Sequence, residues 1–563
     1  MIDLSSERRR RLTHRALPAM GGLAALALAA GTLVGSLAGS ADEHAARDFA
    51  EAWERGDERA MYSLLSDSAR SAHPFERFRR AYRRAADTAT LVAVAAGEPE
   101  GARDGTIVVP MTLRTRVFGR LGGELLVPVE EERVEWEPRL VFPELRDGER
   151  LRRKSVPPER ATLLSRNGKV LAEGPADARS SPLVGIAESI AGSMEPEETR
   201  EEREALYARG FPRGSPVGQS GLEEAFEDRL AGRPGGELLA GRRVLARARP
   251  RRASPVRTTI DPRVQESAVV ALAGRFGGIA ALDPLSGDIL ALAGIAFSAP
   301  QPPGSTFKIV TTTAALEAGL VKLRDEFPVA TAATIDGVEL ENANGESCGG
   351  SFRDSFAHSC NSVFAPLGVK VGSARLVEVA ERYGWNAKPS IPGEVASTLP
   401  PASEIRTPLE MGSTAIGQGK VLATPLRLAS AAQVIAAGGV RYEPTLAADE
   451  QAKSIRVTTP RVARTIRSLM VDVVSYGTGT AAAIADVKVA GKTGTAELED
   501  TRGPNADQSD ADGSNTDAWF AAFAPAVRPR IAVGVMFVRA GAGGATAAPA
   551  ARVVLEEGLR RRR

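Results

Sequence analysis

Ser305 and Lys308, in the run Ser305-Thr306-Phe307-Lys308, are the residues of this chain best suited to chemistry. A lysine one helical turn from a serine lies on the same face, and an unprotonated amine there can take the hydroxyl proton and activate the oxygen for attack. The chain has ten lysines against sixty-two arginines, and Lys308 is the only lysine three positions after a serine. Arginine keeps its proton, whereas lysine can lose it. A lysine kept at this spacing therefore suggests a task that arginine cannot perform; a GC-rich genome would give the same bias and weakens that inference without removing it. To act as a base the lysine must drop by about three units from about 10.4, or about 4 kcal/mol, and burial or a second cation pushes it that way.

Two further elements follow. Ser359-Cys360-Asn361 precedes the apolar run Val363-Phe364-Ala365, and Lys492-Thr493-Gly494 sits inside Gly491-Lys492-Thr493-Gly494-Thr495-Ala496. A strand with lysine, a hydroxyl and glycine offers a cation, a donor and close backbone approach to a ligand. Ser-x-Asn alone says little, since Ser165-Arg166-Asn167 matches it and reads as a turn. A Ser-His-Asp triad needs a histidine held against the nucleophile. Of His14, His44, His73 and His358, only the last lies in the C-terminal region, and it reads as an ordinary surface or packing residue. The base is then sought among the lysines. Cys348 and Cys360 are the only cysteines; no CxxC pair or Cys/His cluster suggests zinc. A disulfide in an oxidising compartment and two buried thiols both remain open.

The elements that must position these residues imply a multidomain α+β chain. At 563 residues several domains are expected, and 72 basic against 70 acidic residues exclude a polybasic nucleic-acid binder. Arg8, Arg9, Arg10, Arg11 and Arg15 mark residues 1–15 as a cytoplasmic tail, and the uncharged stretch 16–41 is long enough for a single transmembrane helix. A cleaved signal peptide ending near Ser36-Leu37-Ala38 is the competing reading; both export residues 42–563. Residues 42–150 read as a small α+β domain. Ala46, Phe49, Ala50 and Trp53 give an amphipathic helix, Met61, Leu64 and Leu65 continue it past Gly56-Asp57, and Thr106–Phe118 and Leu125–Val129 read as strands. Residues 151–255 are mixed, with a turn at Ser165–Lys169, a charged helix over 195–208, another opening at Gly221, and a linker over 249–255. From 256 to 563 the pattern is dense. A hairpin flanks Pro284-Leu285-Ser286-Gly287, a helix runs from Ser305 to about Ala318, strands cover 518–523 and 531–537, and a last helix covers 553–559. Strands at both ends with helices between fit an antiparallel sheet flanked by helices.

The three elements, in this order, resemble the penicillin-binding protein and serine β-lactamase superfamily, whose signature is S-x-x-K, S-D-N and K-T-G. Cys360 stands where that signature has aspartate, so only Ser359 and Asn361 carry over. Pro303-Gly304-Ser305, Ile416-Gly417-Gln418-Gly419 with Thr424-Pro425-Leu426, Trp519-Phe520 and Thr258-Thr259-Ile260-Asp261 are similar to the transpeptidase domain of class B members. Arg166-Asn167-Gly168 and Gly221-Leu222-Glu223 resemble that class's non-catalytic dimerisation domain, expected over 151–255, and residues 42–150 with Trp136 to Pro143 resemble the NTF2-like domain of the MecA type. The resemblance implies a D,D-transpeptidase acting on peptidoglycan peptide stems and inhibited covalently by β-lactams. Ser305 is then the acylated nucleophile, Lys308 its base, and Ser359 and Asn361 relay protons and hold the substrate amide. Lys492 and Thr493 bind the terminal carboxylate, Gly494 completes that strand, and the N–H groups of Ser305 and Thr495 form an oxyanion hole. It implies no metal or organic cofactor, and a membrane-embedded glycan polymerase as partner. A D,D-carboxypeptidase or β-lactamase using the same site, or a catalytically silent β-lactam sensor, are the alternatives.

Overall fold

The computed structural model describes residues 41–103, 106–498 and 515–560. The tail expected at 1–15 and, but for Ala41, the membrane helix expected at 16–41 lie outside the described residues. Among those described, no helix is long and apolar enough to cross a membrane. The chain folds into two compact units that do not follow chain order. Of the described residues, one contains those up to 157 together with 200–213 and 234–250; the other contains 158–199, 214–233 and those from 251 onward.

In the first unit, α1 (Ala41–Glu54) buries Ala46, Phe49, Ala50 and Trp53, the face set by their 3.6-residue periodicity. That face shares a core with Ile107, Val109, Met111, Leu125 and Val127 of an antiparallel sheet. The sheet joins β1 (Leu91–Ala96), β2 (Thr106–Thr115) and β3 (Gly119–Glu130) in that order. α2 (Phe75–Ala89) ends at Thr90, whose left-handed backbone lets its N–H cap the carbonyls of Ala86 and Asp87. β3 starts six residues before the expected Leu125, because the glycine-containing stretch from Gly119 is held by pairing with β2 as far as Thr115. The run Leu140-Val141-Phe142 enters a 3₁₀ turn over Pro138–Val141, opened by proline at its first position. Tyr82 fastens this turn to the core: it donates to the Leu140 carbonyl at 3.1 Å and accepts from the Trp136 indole at 3.2 Å.

The second unit is built on a five-stranded antiparallel sheet. Its strands are β4 (Gly277–Leu282), β5 (Ile289–Gly294), β6 (Ala490–Glu497), β7 (Thr516–Ala524) and β8 (Ile531–Phe537), in the spatial order β5–β4–β8–β7–β6. Strands from both ends of the region 277–537 thus contribute to one sheet, and β6, which carries Lys492-Thr493-Gly494, is an end strand. Strand alternation sorts β7 cleanly. Ala518, Phe520 and Ala522 face a core formed with α3 (Pro262–Leu272) and a C-terminal helix, Ala547–Leu559. Trp519, Ala521 and Phe523 face the larger core of α4 (Lys308–Glu317), α6 (Asn361–Val371), α7 (Pro425–Ala436) and α8 (Pro460–Ser475). Each fully buried ring contributes roughly 2–3 kcal/mol by leaving water, so the sheet is fixed firmly on both faces. The turn expected at Ser165–Lys169 is present between strands at Leu163–Leu164 and Val170–Ala172, with Gly168 at φ 81°. The helix expected from Ser305 begins as a 3₁₀ turn, Gly304–Phe307, and becomes α-helical at Lys308.

Candidate active site

Ser305 lies in that 3₁₀ turn, which is clamped by its neighbours. Thr306 donates to the Pro303 carbonyl at 2.7 Å, and the Gly304 N–H donates to the Gly417 carbonyl at 3.0 Å. Gly304 has φ 52°, and a Cβ there would meet the Thr495 carbonyl oxygen at 2.5 Å. A Cβ on Gly494 would stand 2.6 Å from the Pro303 oxygen and 2.9 Å from Thr306 Cγ2. Glycine at both places lets the edge strand β6 lie directly against the serine turn, bringing the backbones of Ser305 and Thr495 close.

The second element occupies the junction between α5 (Phe352–Ala357) and α6. Ser359 takes a left-handed backbone, φ 63°, a conformation costly for a residue with a Cβ. The junction is held by the Cys360 N–H on the Ser355 carbonyl at 2.9 Å and by a disulfide between Cys348 and Cys360. The disulfide answers the question that spacing left open.

Both lysines are wholly buried, and both converge on Ser359. Lys308 Nζ donates to the Ser359 carbonyl at 2.6 Å and to Asn361 Oδ1 at 2.7 Å, and lies 3.3 Å from Ser359 Oγ. Lys492 Nζ lies 2.8 Å from Ser359 Oγ and 3.2 Å from the Thr493 carbonyl. The Ser359 hydroxyl therefore bridges the two amines. Below the lysines are aromatic faces, Phe364 at 5.2 Å from Lys308 Nζ and Phe356 at 5.6 Å from Lys492 Nζ. A ring face attracts a cation weakly, but it also excludes water, and here burial wins. Burial, assisted by the charge of Lys492, holds the Lys308 amine well below the ordinary lysine value, and burial lowers Lys492 to about 7. For Lys492 alone that shift is on the order of 5 kcal/mol against the charged form. A neutral amine donates twice; the two short bonds of Lys308 use both hydrogens and leave its lone pair to receive a hydroxyl proton. Among the described residues Ser305 Oγ has no hydrogen-bond partner.

Alternation along β6 separates its residues. Lys492 and Gly494 face Ser359 and the serine turn, whereas the Thr493 hydroxyl lies 2.6 Å from the Thr478 hydroxyl and Thr495 Oγ1 accepts from the Gly543 N–H at 3.4 Å. Lys308, Ser359, Asn361 and Lys492 are thus joined by direct hydrogen bonds, with Ser305, Gly494 and Thr495 brought alongside by backbone approach. His358 makes no bond to either lysine; its Nδ1 is 3.6 Å from a Glu346 carboxylate oxygen on a partly exposed rim. Phe356, Phe364 and Thr478 went unassigned in the sequence. Phe364 stands inside an apolar run that reads as packing, and Thr478 reaches Thr493 through a fold contact that no spacing announces. Among the described residues no group of three or more His, Cys, Asp or Glu side chains is placed to hold a metal ion.

Comparison with known proteins agrees with this geometry. Residues 277–556 match the penicillin-binding protein transpeptidase domain, and residues 174–243 match the penicillin-binding protein dimerisation domain. The chain is 33% identical over 412 residues to the peptidoglycan D,D-transpeptidase PbpA of Mycolicibacterium smegmatis, covering 61% of this chain and 80% of that one. It is similar to the penicillin G acyl-enzyme complex of Mycobacterium tuberculosis penicillin-binding protein A, with a TM-score of 0.55 and 28% identity over 72% of this chain and all of the other. Pseudomonas aeruginosa PBP2 gives a TM-score of 0.62 and 25% identity over 73% of this chain and 97% of the other.

Proposed function

This chain belongs to the penicillin-binding protein transpeptidase family, and we propose that it crosslinks peptidoglycan peptide stems through an acyl-enzyme on Ser305. The observation that carries the reading is the meeting of two buried, depressed lysines on one serine hydroxyl.

In the proposed sequence the terminal carboxylate of a D-Ala-D-Ala stem is held by the Thr493 hydroxyl and attracted by the charge of protonated Lys492, whose amine stays on Ser359. Ser305 Oγ attacks the penultimate carbonyl, and its proton passes to neutral Lys308. Negative charge on the carbonyl oxygen is met by the N–H groups of Ser305 and Thr495, fixed donors that need no reorganisation as the charge develops. The Ser359 hydroxyl, standing between both amines, returns a proton to the departing D-alanine nitrogen as the C–N bond breaks. An ester on Ser305 remains. The amine of a neighbouring stem then attacks it, loses a proton back through the same groups, and frees the serine with a new peptide bond formed. A β-lactam enters as a strained amide with a similarly placed carboxylate. Its leaving nitrogen stays tethered, and the adduct persists.

The placement of the rest of the chain is also our proposal. Residues 16–41 anchor the protein in the cell membrane with residues 1–15 in the cytoplasm, and the Cys348–Cys360 disulfide supports an oxidising location for the catalytic domain. Residues 42–150 form a MecA-type NTF2-like domain, 151–255 the dimerisation domain and 256–563 the transpeptidase domain. The glycan strands come from a membrane-embedded polymerase. Mass spectrometry after penicillin treatment tests the core of this reading: the adduct is expected on the peptide holding Ser305 and absent from Ser305→Ala, and an adduct retained by that variant overturns it.

A further inference from the structure

The stretch between α4 and α5 folds back over the Ser359–Asn361 junction as two small antiparallel ladders, Glu326–Ala330 with Cys348–Ser351 and Ala332–Ile335 with Val338–Glu341. Three ties fasten it there. Asn361 Nδ2 donates to the Glu341 carbonyl at 2.6 Å, the Ser362 N–H donates to Asn342 Oδ1 at 2.9 Å, and the disulfide joins Cys348 to Cys360. Asn342 is 4% exposed, and its side chain is fully occupied: besides accepting from Ser362, its Nδ2 donates to the carbonyls of Ala330 and Glu346, each at 2.8 Å. Its own N–H donates to the Thr331 carbonyl at 2.7 Å.

We propose that Asn342 is a positioning residue that fixes which way the Asn361 amide points, through the carbonyl of the residue before it. The proposal rests on the reading of Asn361 as part of the transpeptidase site. An amide has a donor end and an acceptor end of nearly equal shape, and only its partners choose between them. A backbone carbonyl can only accept. At 2.6 Å the Glu341 oxygen selects Nδ2, because the reversed amide would press two oxygens together. That choice turns Oδ1 to Lys308 Nζ at 2.7 Å and keeps one of the amine's hydrogens away from its lone pair's side of the reaction. It also leaves the second Nδ2 hydrogen for the carbonyl of a substrate amide. The Glu341 carbonyl is held in place by its neighbour: Asn342 ties both ladders to the start of α6, so the carbonyl and the amide it orients belong to one rigid frame. Without Asn342 the amide is free to turn, and a donor faces Lys308 in the turned state.

The test is a double-mutant cycle on the penicillin acylation rate, with Asn342→Ala, Asn361→Ala and the pair, each checked by thermal unfolding. Asn342→Ala is expected to slow acylation by about tenfold, the loss of one hydrogen bond, and to slow it no further when Asn361 is already alanine. Wild-type acylation in Asn342→Ala, or an equal loss in both backgrounds, overturns the inference while leaving the site reading intact. Asn361→Ala acylating at the wild-type rate overturns the site reading itself. Should Asn342→Ala fail to fold, Asn342→Ser takes its place in the same cycle, with the same result supporting the proposal and the same results overturning it.

Discussion

Two of the groups of charged side chains that the second unit buries are handled in opposite ways. Arg160, 4% exposed, lies 2.7 Å from Glu223 and 2.8 Å from Glu227, and Arg179 also reaches Glu223 at 2.7 Å. Every cation there has a carboxylate. Lys308 and Lys492 are buried at least as deeply, yet their polar partners are carbonyl, amide and hydroxyl oxygens, with no carboxylate among them. In the first group mutual attraction offsets desolvation, the charges stay, and the outcome is a structural joint. In the second nothing offsets it, so each amine holds its proton weakly and, once neutral, can take one up. Burial alone does not mark a functional site; burial without a counter-charge, of a residue able to release its proton, does. Arginine could not fill the second role.

The comparison can be broken most severely at the lysine. Lys308→Met keeps length and removes the amine, so penicillin acylation should fall by roughly 10³-fold, while the melting temperature holds or rises because an unfavourable buried group is gone. A fall in both would place Lys308 among the structural residues. Glu223→Gln should behave in reverse: it leaves Arg179 without a carboxylate and Arg160 with Glu227 alone, and should cost about 3 kcal/mol in denaturant unfolding, with the acylation rate of the folded protein within twofold of wild type.

The pH dependence of stability sharpens the contrast further. Lys492 has a value of about 7 folded and about 10.4 unfolded, so the unfolded chain binds the extra proton between those limits and stability rises with pH from about 7 to about 10.4. Below 7 the penalty of the buried charge is present in full. Lys308, lowered in the same direction, adds to the slope. Lys492→Met should flatten this dependence, and an unchanged slope in urea titrations would contradict it. Acylation should switch on as pH rises through the depressed value of Lys308 and weaken as Lys492 loses its proton near 7. The smallest effect is expected at Thr478→Val, which removes the hydroxyl beside Thr493 at the cost of about 1 kcal/mol, or a few-fold in apparent affinity for carboxylate-bearing β-lactams. Equal loss toward an uncharged ester analogue would assign Thr478 to packing instead.

What could be read in the sequence is what repeats locally. The 3.6-residue pattern of Ala46, Phe49, Ala50 and Trp53 gave α1, and the short apolar run Ala518–Phe523 gave β7. Lys308 follows Ser305 by one turn and is buried, but its amine reaches across to Ser359 and Asn361 in the next layer instead of bonding to the serine that made it conspicuous. That partner choice is a tertiary fact. The early start of β3 was hidden for the same reason, since Gly119 to Gly123 favour a strand only when β2 is beside them. Glu341 was silent because it acts through a backbone carbonyl that every residue owns, and the disulfide needed Cα atoms 5.8 Å apart, which a spacing of twelve does not dictate.

The scarcity of lysine makes the central claim measurable. With ten lysines, ¹³Cε-labelled lysine gives a spectrum in which each side chain can be followed by pH titration and assigned by substitution. The account predicts that the Lys308 resonance is already that of a neutral amine well below the pH at which exposed lysines titrate, and that Lys492 titrates near 7. A Lys308 that remains an ammonium group up to pH 10 would contradict it.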